Sequence, residues 1–104
     1  MERIVRQGLL YDFYGALLNE HQRNIYEAFV YDNMSLSEIA EEQGITRQGV
    51  HDLIKRCDKS LTEYEDKLHL VDRFMSIKSE VEQIEARTDS EEIRMLAAKI
   101  LEQL

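Results

Sequence analysis

The chain has 104 residues, 21 acidic and 13 basic, with a formal net charge of −8. That length suits one domain, and a hydrophobic content of 43% excludes a disordered tail. The acidic balance leaves any nucleic-acid binding to a local concentration of positive charge.

No prolines, four glycines and an abundance of Leu, Ile, Glu, Ala and Lys predict an all-α protein. Glu2, Arg3, Arg6 and Asp12 interrupt the N-terminal stretch, so it lacks the apolar core of a signal peptide. No run approaches the roughly 18 apolar residues that a membrane span requires. The expectation is a soluble, cytoplasmic protein without membrane insertion. The single cysteine, Cys57, cannot form an internal disulfide and falls on an apolar face, where it reads as a buried thiol.

In chain order, Ile4, Val5, Leu9, Leu10, Phe13, Tyr14, Leu17 and Leu18 predict a first helix with one broad apolar face, and Tyr11 lies off that stripe. Phe13 and Tyr14 are expected in the core. The rival use of Tyr11, Phe13 and Tyr14 is a stacking platform for single-stranded RNA. Asn19 is an N-cap for a second helix carrying Ile25, Tyr26, Phe29 and Val30, which ends at Asp32 and Asn33. Ser35 and Glu38 stand three apart, as a capping box requires, and open a short third helix with Leu36, Ile39 and Ala40 that Gly44 ends.

Thr46 caps a fourth helix with no clear stop for about 40 residues. Val50, Ile54, Cys57, Leu61, Tyr64, Leu68, Val71 and Met75 form a heptad seam, which shifts to Leu70, Phe74, Ile77, Val81 and Ile84. Unbroken, such a helix would run roughly 60 Å. Either it bends between Lys67 and Asp72, or part of it packs on a second copy. Thr88, Asp89 and Ser90 cap a final amphipathic helix with Ile93, Leu96, Ala97, Ile100, Leu101 and Leu104. The expected organisation is a helical domain over residues 1–66, with a motif at about 35–57, and a C-terminal extension over 67–104 that serves self-association as a homodimer.

The motif is SLSEIAEEQGITRQGVHDLIKR, Ser35 to Arg56. A helix-turn-helix needs a small residue where its helices cross and a turn residue that tolerates positive φ; Ala40 and Gly44 fill these roles. Ile39, Ile45, Val50 and Leu53 supply the apolar wedge. The outward face of the second helix then carries Arg47, Gln48, His51, Asp52, Lys55 and Lys59. Arg47 and Gln48 sit at its N-terminus, where groove-entering helices touch bases, and Arg and Gln suit guanine and adenine edges. Residues 46–59 carry four basic and two acidic side chains. The excess of acid lies elsewhere: residues 61–104 sum to −5. Arg47, Gln48, His51, Lys55 and Lys59 are the candidate nucleic-acid-binding residues. A solvated helix face is the competing account of the cations.

LLYDFYGALL, the motif itself and SLTEYEDKLHLV together resemble the bacterial YlxM-like family, small proteins similar to the DNA-binding fourth region of sigma factors. The resemblance covers about residues 8–75. It implies a dimeric, all-helical, sigma-like helix-turn-helix protein with a regulatory or accessory role in the signal recognition particle pathway. The partners it implies are DNA, the signal recognition particle RNA or the particle's GTPases. Gln43 departs from the pattern, standing where an apolar residue is usual, and Gly49 replaces the usual alanine inside the recognition helix.

Enzyme chemistry finds no support in the residues. His21, His51 and His69 are far apart, no zinc spacing or phosphate loop occurs, and no cofactor or metal is expected. Glu41, Glu42, Glu63, Glu65 and Asp66 read as solvated helix faces rather than paired catalytic carboxylates. The alternative to nucleic-acid binding is a protein interaction module, in which the acidic, heptad-patterned half does the work and the motif is a scaffold.

Overall fold

A computed structural model describes residues 1–104. It is all-α, with six helices and no strand: α1 (Arg3–Tyr14), α2 (Glu20–Val30), α3 (Leu36–Gln43), α4 (Arg47–Leu68), α5 (Leu70–Arg87) and α6 (Glu91–Glu102). A 3₁₀ turn, Gly15–Leu17, follows α1. None of the helices is long and apolar enough to cross a membrane.

Local side-chain chemistry starts the helices where the sequence places caps. At α2 the Asn19 Oδ1 accepts from the Gln22 N–H at 2.8 Å, and the Gln22 Oε1 accepts from the Asn19 N–H at 3.0 Å. Ser35 and Glu38 make the same reciprocal pair at α3, at 3.1 and 3.0 Å. Hydrogen bonds from the Ser35 backbone N–H and then its side chain hold the Glu38 carboxyl below its ordinary pKa. Thr46 Oγ1 accepts from the Gly49 N–H at 2.9 Å and opens α4. Ser90 Oγ does so for Ile93 at α6.

The chain divides into two compact units, Met1–Leu68 and His69–Leu104. In the first, α1, α2 and α3 all pack against α4. Val50, Ile54, Cys57 and Leu61 of the heptad seam are buried there, so this part of the seam is the unit's own core. Leu68, further along, is exposed. Of the two expected alternatives for the long helix, the break between Lys67 and Asp72 is observed: α4 ends at Leu68 and α5 begins at Leu70. His69, at φ 57° and ψ 27°, adopts the left-handed conformation that ends α4, and its carbonyl accepts the Arg73 N–H that begins α5. Histidine enters that region more readily than β-branched residues do.

Three expectations need correction. The buried side of α1 is Gln7, Leu10, Tyr11 and Tyr14, whereas Ile4, Val5 and Phe13 are exposed. Tyr11 goes inward because its ring stacks on Tyr26, centroids 5.4 Å apart, and meets the Tyr31 ring edge-on at 5.5 Å. With Tyr11 and Tyr14 buried, the three rings make no open stacking platform. Glu65 is not on a solvated face: it is buried and accepts from the Tyr14 hydroxyl at 2.5 Å.

The second unit is a helical hairpin of α5 and α6, joined through residues 88–90. The Arg94 guanidinium closes the turn, donating to the Thr88 carbonyl at 2.7 Å and to Glu91 at 3.1 Å. Val71, Val81 and Ala97 are buried, while Ile77, Ile84, Ile93, Leu96, Ile100 and Leu104 remain exposed.

Candidate nucleic-acid interface

The helix-turn-helix is α3, the Gly44 turn and α4. Gly44 has φ 68°, a conformation that lets the N–H groups of Gly44 and Ile45 both reach the Ala40 carbonyl. Ile39, Ala40, Val50 and Leu53 are buried as the wedge between the helices. Ile45 is a correction: it is 37% exposed and does not belong to the buried wedge. Gln43, which stands where the resemblance leads one to expect an apolar residue, is half-buried. At Gly49 a Cβ would come within 3.1 Å of Thr46 Oγ1, so glycine here leaves the capping hydroxyl room.

With that wedge inward, Arg47, Gln48, His51, Asp52, Lys55, Arg56 and Lys59 are all exposed. They fall into two groups with Arg47 apart. Gln48 Nε2 donates to Asp52 Oδ1 at 2.9 Å, and His51 Nδ1 lies 3.4 Å from the same oxygen. These contacts, the Gln48 hydrogen bond first, lower the Asp52 pKa and keep it ionised. One turn on, Lys55, Arg56 and Lys59 border a shallow concavity together with Asp52. Arg47 stands in the first turn of α4, and neither it nor Lys55, Arg56 or Lys59 makes an ion pair.

One feature of this face escapes sequence reading. Arg3, 51 residues from Ile54 along the chain, joins His51, Ile54, Lys55 and Asp58 around a groove of about 560 Å³. Only the packing of α1 against α4 brings it there. The Gln48–Asp52 contact, by contrast, has a sequence signal in its i,i+4 spacing.

Asp58 anchors the other side of α4. It accepts from Gln7 Nε2 at 3.0 Å to each carboxylate oxygen and from the Tyr26 hydroxyl at 2.5 Å, with Arg3 3.7 Å away. Of the two acidic residues among positions 46–59, one is therefore spent on holding α4 to α1 and α2. Asp52 alone lies on the outward face.

Residues 1–100 match the family UPF0122, described as "Putative helix-turn-helix protein, YlxM / p13 like". A UPF0122 protein of Desulforamulus reducens is 47% identical over 74 residues, covering 71% of this chain and 63% of the relative. One from Caldanaerobacter subterraneus subsp. tengcongensis is 49% identical over 76 residues, covering 73% and 65%. A third, from Shouchella clausii, is 42% identical over 79 residues, covering 76% and 72%. The first two matches span slightly less than two thirds of those relatives. By the match along nearly its whole length, this chain belongs to the UPF0122 family of YlxM / p13-like helix-turn-helix proteins.

Proposed function

We propose that this protein is a non-enzymatic regulatory or accessory protein that binds nucleic acid through the outward face of α4. The supporting observation is the cluster of exposed, unpaired cations Arg47, Lys55, Arg56 and Lys59 on the second helix of a helix-turn-helix, with one carboxylate, Asp52, among them. None of these cations is held in an ion pair within the chain, so all four are free to meet phosphates. Duplex DNA suits them best, since an α-helix enters the B-form major groove and not the deep, narrow one of A-form RNA. The sigma-like resemblance points the same way, and it alone supplies the setting, the signal recognition particle pathway, with that particle's RNA and GTPases as further partners. Fluorescence anisotropy at low salt, with duplex DNA and with signal recognition particle RNA, tests this reading. Binding of the duplex that weakens with salt and with Arg47→Ala supports it; binding of neither sinks it.

A second reading has its own observation. The α5–α6 hairpin leaves Ile77, Ile84, Ile93, Leu96 and Ile100 exposed, although they lie on the apolar stripes of its two amphipathic helices. We propose that this hairpin mediates homodimerisation, giving two helix-turn-helix units per particle. Light scattering should show a dimer that Leu96→Glu converts to monomer; a monomeric wild type contradicts it.

A further inference from the structure

We infer that Asp52 is a positioning residue for base recognition, holding the Gln48 amide so that α4 prefers adenine at the position Gln48 meets in duplex DNA. This rests on the DNA reading above. Gln48 and Asp52 are four apart and therefore share one side of α4. The contact is 2.9 Å from Gln48 Nε2 to Asp52 Oδ1. An ionised carboxylate only accepts hydrogen bonds, so the amide cannot turn its oxygen toward Asp52. One of the two Nε2 hydrogens is used there. The other, with Oε1, remains as a donor beside an acceptor, the pair that matches adenine N7 and its N6 amino group.

Without Asp52 the amide turns freely and can offer either atom to any base edge. His51, 3.4 Å from the same carboxylate oxygen, crowds that oxygen from the neighbouring position and leaves Gln48 the closer partner. The carboxylate also repels phosphates, so its presence at the centre of a basic face lowers affinity for every duplex. A group that weakens all binding there is accounted for by discrimination between bases.

The test uses the full chain and a randomised duplex library, with the bound fraction sequenced for wild type, Gln48→Ala, Asp52→Ala and Asp52→Asn. The wild type should enrich adenine at one position by about tenfold, and Gln48→Ala should lose the enrichment. Asp52→Ala should bind all duplexes more tightly while the preference falls to about twofold or less. Asp52→Asn, which removes the charge and offers the Gln48 amide a donor as well as an acceptor, should bind more tightly and lose the preference as Asp52→Ala does. An adenine preference that survives Asp52→Ala overturns the inference and leaves DNA binding standing, as does a wild type that binds without base preference. A cytosine preference lost in both Asp52 variants also overturns it, because the carboxylate then reads the base directly. A wild type that binds no duplex removes the DNA reading and the inference together.

Discussion

The Tyr26 hydroxyl donates to the Asp58 carboxylate across 2.5 Å and ties α2 to the middle of α4. Tyr26 is fully buried, and Gln7 from α1 donates to the same carboxylate. Three helices thus meet at one acidic group, which sets the angle at which α4 is presented. Hydrogen bonds to charged groups contribute about 1.5–3 kcal/mol, and removing the acceptor strands two donors. Asp58→Ala should cost about 3 kcal/mol and Tyr26→Phe about 2 kcal/mol, read as lower midpoints in urea unfolding.

The buried tyrosines make the fold sensitive to alkali. Burial, then the hydrogen bond to Asp58, pushes the Tyr26 hydroxyl well above its ordinary value. Tyr11 is raised by burial and then by Glu27, and Tyr31, although half exposed, is pushed up to about 12 by partial desolvation and then by its hydrogen bond to Asp12. The unfolded chain gives up these protons near pH 10, before the folded chain does. Above that pH the unfolded state binds fewer protons, so stability falls as pH rises; below it the contribution is complete. Thermal unfolding followed by circular dichroism should show a Tm that begins to fall near pH 8.5, where the Cys57 thiol of the unfolded chain ionises, and falls more steeply above pH 10 as the tyrosines follow. Tyr26→Phe should make that fall shallower.

Two glycines separate backbone strain from crowding. At Gly44 a Cβ would meet nothing within 4 Å, so Gly44→Ala isolates the cost of positive φ, about 1–2 kcal/mol. At Gly15 a Cβ would lie 2.7–2.8 Å from three atoms of the Tyr11 ring. Gly15→Ala should cost about 1–3 kcal/mol and shift the tyrosine near-ultraviolet signal, because the ring must leave Tyr26. Gly44→Ala should leave that signal unchanged.

Cys57 should be inert until the protein opens. It is fully buried, and burial, reinforced by Asp58 and opposed by Arg56, pushes its thiol up to about 11. At pH 8 the thiolate fraction is then about one in a thousand. A thiol-reactive chromogenic disulfide should label it at the rate of global unfolding in native buffer and within seconds in denaturant. Rapid labelling of the native protein contradicts this packing.

Much of the fold was legible in the sequence because helix caps and the turn glycine act locally. Asn19, Ser35, Thr46 and Ser90 each receive the hydrogen bond that their spacing implies, and Gly44 takes the positive φ. What failed was the assignment of sides. Phe13 and Tyr11 exchange places because a ring stack with Tyr26, from another helix, outweighs the apolar stripe. Glu65 looks solvated in any local window, and only Tyr14, 51 residues away, explains its burial. The heptad seam was real, but its period cannot say whether the facing helix belongs to the same chain or to another copy; over Val50 to Leu61 it is the same chain. On the interface, the exposed positions of α4 follow from its buried ones, whereas Arg3 arrives only through tertiary packing.

The most direct measurement of the central claim is the salt dependence of duplex DNA binding by wild type and by Lys55→Gln. If Arg47, Lys55, Arg56 and Lys59 each meet a phosphate, log K should fall against log salt with a slope of about −3.6 per protomer. Lys55→Gln should reduce that slope by about 0.9. A slope that Lys55→Gln leaves unchanged, or no binding at the lowest salt, contradicts the assignment of this face to nucleic acid.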